Sequence, residues 1–93
     1  MATLTQDEVA QALGELDGWE QNGAEIRKEY SFTDFGLAME FVNHVARAAE
    51  AANHHPDIDI RYNKVTLALS THSEGGLTAK DVELAQRIEE MTS

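Results

Sequence analysis

The chain has 93 residues, of which 17 are acidic and 7 are basic, and its formal net charge is −10. Such a surface repels phosphate backbones and anionic lipids, which argues against direct binding to nucleic acids or membranes. The sequence has no cysteine, so it excludes disulfides and thiolate chemistry. Its first residues lack the basic and apolar regions of a signal peptide. We therefore expect one cytoplasmic domain over residues 1–93.

The first elements are predicted to be a helix and a hairpin. Thr5 and Glu8 have the spacing of a capping box, and we expect the helix they open to end at Asp17-Gly18. Asn22-Gly23 is a favourable hairpin turn. Apolar and polar residues alternate over 26–32, which predicts a strand with one buried face.

The clearest amphipathic segment runs from Phe35 to about Ala52. Its apolar residues recur at intervals of three and four, as expected for a helix that packs on a core. Asn53 can end this helix, and Pro56 prevents it from continuing.

A histidine-flanked stretch, residues 53–72, follows this helix. Its two alternating apolar runs predict antiparallel strands joined by a two-residue loop at Asn63-Lys64, with Ile58 and the other apolar side chains facing the core. If the pairing of these two strands is extended away from the loop, His55 lies opposite His72, with His54 beside them. Pro56 is a weak point because it cannot donate to the ladder.

A loop and a last helix complete the chain. Thr78 is expected to cap this helix, with Asp81 at the third position after the cap. The resulting order predicts an α+β fold in which a four-stranded antiparallel sheet carries three helices on one face. The histidines would then lie toward an end of the helix-free face, open to a ligand.

Two chemistries suit three neighbouring imidazoles. They could bind zinc, or they could act as acids and bases without a metal. Adjacent histidines in an extended segment point to opposite faces, which favours acid–base catalysis. Structural roles are also open: His44 fits a surface position in the helix, Asp81 a cap, and Glu50 a solvated helix residue.

An ordered set of motifs spanning nearly the whole chain resembles the pterin-4a-carbinolamine dehydratases. The matching motifs are Gly18-Trp19, Phe32-Thr33-Asp34-Phe35, Glu50, His54-His55-Pro56, Tyr62-Asn63-Lys64-Val65, Leu69-Ser70-Thr71-His72, Gly76-Leu77-Thr78, Lys80-Asp81 and Leu84-Ala85. The resemblance implies the same α+β fold. It departs at Ile58, where many relatives carry an aromatic residue.

The resemblance also implies a function. The family removes water from a 4a-hydroxytetrahydropterin left by aromatic amino acid hydroxylases, giving the quinonoid dihydropterin without metal or cofactor. It implies that His54 and His72 protonate the departing hydroxyl, that His55 holds the pterin, and that Glu50 and Asp81 orient histidines or bind the ring.

Partners follow from the resemblance as well. It implies a homodimer or homotetramer and a functional link to an aromatic amino acid hydroxylase. An alternative function is that of a protein-binding dimerisation cofactor or assembly factor, which would use the same fold without catalysis. Retention of all three histidines favours the enzyme.

Overall fold

The computed structural model describes residues 2–92, in which three helices lie against a four-stranded antiparallel sheet of order β1-β2-β4-β3. This confirms the predicted fold class. The elements are α1 (Gln6–Leu13), β1 (Glu20–Asn22), β2 (Glu25–Ser31), α2 (Phe35–Ala52), β3 (Asp57–Arg61), β4 (Lys64–Leu69) and α3 (Ala79–Thr92), with a short 3₁₀ helix at His72–Glu74.

The core lies between the helices and one face of the sheet. The central strand β4 contributes alternate residues that are fully buried, as the period of two requires. Helices α2 and α3 cover them with their own apolar stripes. The buried residues of this core include Ile26, Val65, Leu67, Leu69, Val45, Leu84 and Ile88. None of the helices within residues 2–92 is long and apolar enough to cross a membrane.

The first helix begins where predicted and ends earlier. The Thr5 hydroxyl accepts from the Glu8 amide, and the Glu8 carboxylate accepts from the Thr5 amide, so the capping box is confirmed. The helix stops at Leu13 rather than Asp17, because the following amides bond to carbonyls three residues back. This tightened turn brings Leu16 into the core.

The β3–β4 hairpin has a different register from the predicted one. Ile60 pairs with Val65 and Ile58 with Leu67, so the loop is Tyr62-Asn63 and not Asn63-Lys64. Asn63 fixes this turn because its side-chain amide donates to the Phe32 carbonyl at 2.8 Å, while its own carbonyl accepts from the Phe32 amide. The predicted pairing of His55 with His72 is therefore wrong.

Strand β3 forms one edge of the sheet and lies beyond the cover of the helices. All five of its residues are exposed, including Ile58 at 37% and Ile60 at 38%. The expectation that Ile58 belongs to the core is wrong, although it does lie on the same face as the buried β4 residues. Its position leaves an apolar strip at an unpaired sheet edge.

A polar cluster of Lys28, Tyr30 and Glu89 joins α3 to strand β2. Lys28 Nζ lies 2.8 Å from the Glu89 carboxylate and 2.7 Å from the Asp17 carbonyl, while the Tyr30 hydroxyl also donates to Glu89. Burial alone raises the pKa of Glu89, but the hydrogen bonds from Lys28 and Tyr30 outweigh burial and leave that pKa below its usual value. The carboxylate is therefore held in its charged form.

We predict that Glu89→Gln lowers the free energy of unfolding by about 1–2 kcal/mol at neutral pH, because Lys28 and Tyr30 lose a charged acceptor. The pKa of Glu89 is lower in the folded than in the unfolded chain, so this contribution is present above the unfolded value of about 4.3 and is lost as the pH falls through the folded value. Urea unfolding at neutral and acid pH measures it. An equal deficit at both pH values would contradict the assignment, and Glu83→Gln on the same helix is the control.

Candidate active site

The end of helix α2 places His54. Asn53 adopts the left-handed conformation, with φ of 51°, and its amide bonds back to the last turn. The amide of His54 donates to the carbonyl of Ala49 at 3.1 Å, five residues earlier. These bonds form a Schellman motif, which fixes the direction in which the chain leaves the helix. His54 therefore has a set position before any side-chain contact is made.

The side chain of His54 meets Asp81 in the first turn of α3. Its Nε2 lies 2.6 Å from Asp81 Oδ1, and Asp81 is 0% exposed. The second carboxylate oxygen accepts from the Thr78 amide at 2.9 Å and the Thr71 hydroxyl at 2.8 Å. Asp81 therefore caps the helix, as one prediction had it, and also holds the imidazole.

Two buried threonines complete this arrangement. The Thr71 and Thr78 hydroxyls are 2.8 Å apart. Since Thr71 donates to Asp81, the Thr78 hydroxyl donates to Thr71 and accepts from the Lys80 amide. A chain of hydrogen bonds thus runs from the start of α3 through Thr71 to the carboxylate, leaving Asp81 well satisfied despite its burial.

His55 has a separate carboxylate partner. Its Nε2 bonds to Oε2 of Glu50, which lies in the last turn of α2. Both side chains are more than half exposed, in contrast to the His54 pair. The two adjacent histidines therefore engage two different carboxylates from two different helices.

His72 is presented by a small closed loop. Thr71 and Gly76 form an isolated antiparallel bridge, and the residues between them make a 3₁₀ turn that ends at Gly75, with φ of 73°. His72 is exposed on this turn, and its Nε2 lies 3.4 Å from the Ser70 hydroxyl. Ser70 and His72 thus stand on either side of the buried Thr71.

One open cleft of about 300 Å³ brings the three histidines together. We call it the histidine cleft. It lies where the end of α2, the end of β4 and the start of α3 converge, and it is lined by Asn53, His54, His55, Ser70, Thr71, His72, Ser73 and Lys80. The expected position on the bare sheet face is wrong for His54, because its ring turns toward Asp81 in the helix layer.

A larger cavity of about 580 Å³ lies elsewhere, between the start of α2 and the end of α3. Its walls combine apolar and polar side chains and contain one histidine, His44, which is exposed on α2. It lacks the pairing of imidazoles with carboxylates that marks the histidine cleft. The smaller cleft is therefore the candidate active site.

The carboxylate pairing also bears on metal binding. Within residues 2–92, no three histidine, aspartate or glutamate side chains are arranged to hold a metal ion. His54 and His55 each use Nε2 on a separate carboxylate, so one nitrogen of each ring is already engaged.

The sequence profile of the family described as "Pterin 4 alpha carbinolamine dehydratase" matches residues 2–91. The chain belongs to this family. A relative from Koribacter versatilis is 54% identical over 96% of this chain and 95% of its own length. One from Roseiflexus castenholzii is 55% identical over 98% of this chain and 99% of its own. Both carry the provisional name pterin-4-alpha-carbinolamine dehydratase.

Two solved structures share the pterin dehydratase fold. A Brucella melitensis protein, described as a transcriptional coactivator/pterin dehydratase, superposes with a TM-score of 0.93 at 35% identity and covers 98% of this chain and 99% of its own. A pterin dehydratase-like RuBisCO assembly factor of the alpha-carboxysome superposes with a TM-score of 0.65 at 17% identity, covering 81% of this chain and 87% of its own. At that identity the likeness concerns the fold alone.

Thr71 and Thr78 lie in the candidate site, although sequence analysis gave Thr71 no role and Thr78 only that of a helix cap. Both stand inside motifs shared with the pterin dehydratases, but neither titrates, and their spacing gives no sign of a common partner. One signal was available: Thr71 lies between Ser70 and His72, and alternation turns it toward the core side.

We predict that Thr71→Val, which keeps the shape and removes the hydroxyl, lowers the free energy of unfolding by about 1–3 kcal/mol. The physical reason is that Asp81 loses a donor in a site without solvent. Urea unfolding of the variant measures the loss. Thr66→Val is the matched control, because Thr66 lies on the neighbouring strand β4 and its side chain makes no hydrogen bond within residues 2–92. Equal stability of the Thr71 variant and the wild type would contradict the role given to this hydroxyl.

Proposed function

We propose that the chain removes water from a 4a-hydroxytetrahydropterin, giving the quinonoid dihydropterin by histidine acid–base catalysis in tetrahydrobiopterin regeneration. The observation that carries the proposal is the meeting of three histidines around one open cleft, two of them with a carboxylate partner. Family membership supports the reaction class, and the side chains supply the proton donors and acceptors that it needs. No cofactor or metal takes part in this proposal.

The dehydration breaks the bond between the 4a carbon of the pterin and its hydroxyl oxygen. An acid protonates the hydroxyl, water leaves, and the electron pair of N5 forms the new C=N bond. N5 then releases its proton to a base, so one proton is donated and one accepted over the reaction. The reaction therefore requires a proton donor near the hydroxyl and a proton acceptor near N5.

Within the proposal, His54 and His72 protonate the departing hydroxyl, and His55 holds the pterin ring. The carboxylate of Asp81 can only accept, so Nε2 of His54 carries a proton and Nδ1 is left to exchange one with the substrate. Glu50 orients His55 in the same manner from the outer wall of the cleft. Asp81 and Glu50 are positioning residues in this scheme.

The proposal is tested by stopped-flow absorbance of a 4a-hydroxytetrahydropterin mixed with the protein. We predict that His54→Ala and His72→Ala each slow dehydration by about 100- to 1,000-fold, the scale of losing a positioned acid. His44→Ala removes a histidine outside the cleft and is the matched control.

Circular dichroism establishes that each variant is folded. Wild-type turnover in both cleft variants would contradict the assignment.

A second function has one observation in its favour. The fold is shared with a protein described as a RuBisCO assembly factor, and a protein-binding dimerisation cofactor or assembly factor would use this scaffold without catalysis. The stopped-flow assay separates the two, because an adaptor leaves the decay of the hydroxypterin at its uncatalysed rate.

The proposed substrate is the product that aromatic amino acid hydroxylases release, so catalysis also implies a functional link to such an enzyme.

We further propose that the chain forms a homodimer through strand β3. Antiparallel pairing of two copies centred on Asp59 places Ile58 opposite Ile60 and Asp57 opposite Arg61. The central Asp59 is already paired with Arg61, whose Nε lies 3.1 Å away. Pairing would satisfy the free edge and cover the exposed isoleucines. A homotetramer would need a second contact surface.

We predict that Ile60→Lys converts the dimer to a monomer, because it introduces a charge into the apolar strip at the edge. Sedimentation equilibrium measures the mass of the species in solution. Ala10→Lys adds the same charge on the exposed face of α1 and should leave the dimer intact. A wild-type monomer, or a dimer that survives Ile60→Lys, would contradict this interface.

A further inference from the structure

A second cleft of about 300 Å³ adjoins the histidine cleft. The turn between β1 and β2 forms one wall, through Asn22 and Glu25, and the loop at Gly75 and Gly76 forms another. Ser70 and His72 line both clefts. A ligand held beside His72 can therefore extend into the second cleft without leaving the surface of the protein.

The strand register places Glu25 next to the shared wall. Asn22 pairs with Glu25 across the β1–β2 turn, and Ile26 pairs with Leu69. One residue further along each strand, Glu25 comes beside Ser70, at the spacing of neighbouring strands, which is about 4.8 Å. Glu25 is half-buried, and within residues 2–92 no basic side chain forms an ion pair with it.

We propose that the second cleft receives the C6 substituent of the pterin and that Glu25 selects a neutral, hydroxylated substituent. We call it the substituent cleft. The inference rests on the proposed function, and the geometry of the substrate supports it. The 4a carbon must lie against the histidines, and C6 is separated from it only by N5. A substituent on C6 therefore begins beside the histidine cleft and needs a neighbouring space.

The chemistry of the walls sets the kind of substituent. A carboxylate accepts hydrogen bonds and donates none, so Glu25 suits hydroxyl groups, and the Asn22 amide both donates and accepts. An anionic substituent would meet the unpaired charge of Glu25 on a chain whose net charge is −10. Glu25 and Asn22 are thus specificity-determining residues rather than catalytic ones.

The test compares three 4a-hydroxytetrahydropterins that differ only at C6, carrying a methyl group, a dihydroxypropyl group or a chain ending in a carboxylate. We expect wild-type kcat/KM to be about three- to tenfold higher for the dihydroxypropyl than for the methyl substrate, which is the scale of one or two hydrogen bonds. The higher value should come from a lower KM and not from a higher kcat. Glu25→Gln lowers that ratio. Glu25→Lys raises kcat/KM for the carboxylate substrate relative to the methyl one.

Glu29→Lys is the matched control. Glu29 is exposed on the same strand as Glu25 and lies outside the substituent cleft. It should leave all three ratios at the wild-type values.

If the wild type turns over the methyl substrate and both Glu25 variants show unchanged ratios, this inference is overturned and the proposed function still stands. Absence of wild-type turnover of all three substrates would overturn the proposed function and this inference with it.

Discussion

The carboxylate of Asp81 is the interaction on which the arrangement of the site depends. It has no solvent exposure and accepts from the amide of Thr78 just before its own helix, from the hydroxyl of Thr71 just after β4 and from the imidazole of His54. A buried charge is tolerated only when hydrogen bonds replace the lost water. Here those bonds come from three separate segments, so satisfying the charge also fixes their relative positions.

The rest of the fold supports this junction from both sides. On one side, the Schellman motif at Asn53 delivers His54 at a defined angle from α2. On the other, Glu89 ties the far half of α3 to Lys28 and Tyr30 of the sheet. Helix α3 is therefore held at both ends, by Asp81 near its start and by Glu89 near its finish. Such double anchoring keeps a positioned carboxylate in register with its partner.

The sequence predicts those parts of the fold that depend on residues close together in the chain. The limits of α2 follow from its apolar period and from Asn53 and Pro56, all visible in the sequence. The β3–β4 register could not be found in this way. Alternation fits either loop equally well, and the choice is made by Asn63 bonding to Phe32, 31 residues away in the chain.

The same division applies to the candidate site. The strand pattern and the family resemblance both pointed to the three histidines, and the resemblance gave roles to Glu50 and Asp81, but neither said which carboxylate meets which ring. That pairing depends on where α3 begins relative to the end of α2, and those segments are separated by a whole hairpin. The exposure of Ile58 has the same origin, since an edge strand and a covered strand can share one sequence pattern.

The two histidine–carboxylate pairs differ most in their contact with solvent. The His54 side chain is 11% exposed beside a fully buried Asp81, whereas His55 and Glu50 are 56% and 76% exposed. Dissolved ions screen charges that face water and have little effect on those shielded from it. Rising ionic strength would therefore loosen the outer wall of the histidine cleft while the inner wall keeps its geometry. The cleft thus combines a salt-insensitive anchor with a salt-responsive rim.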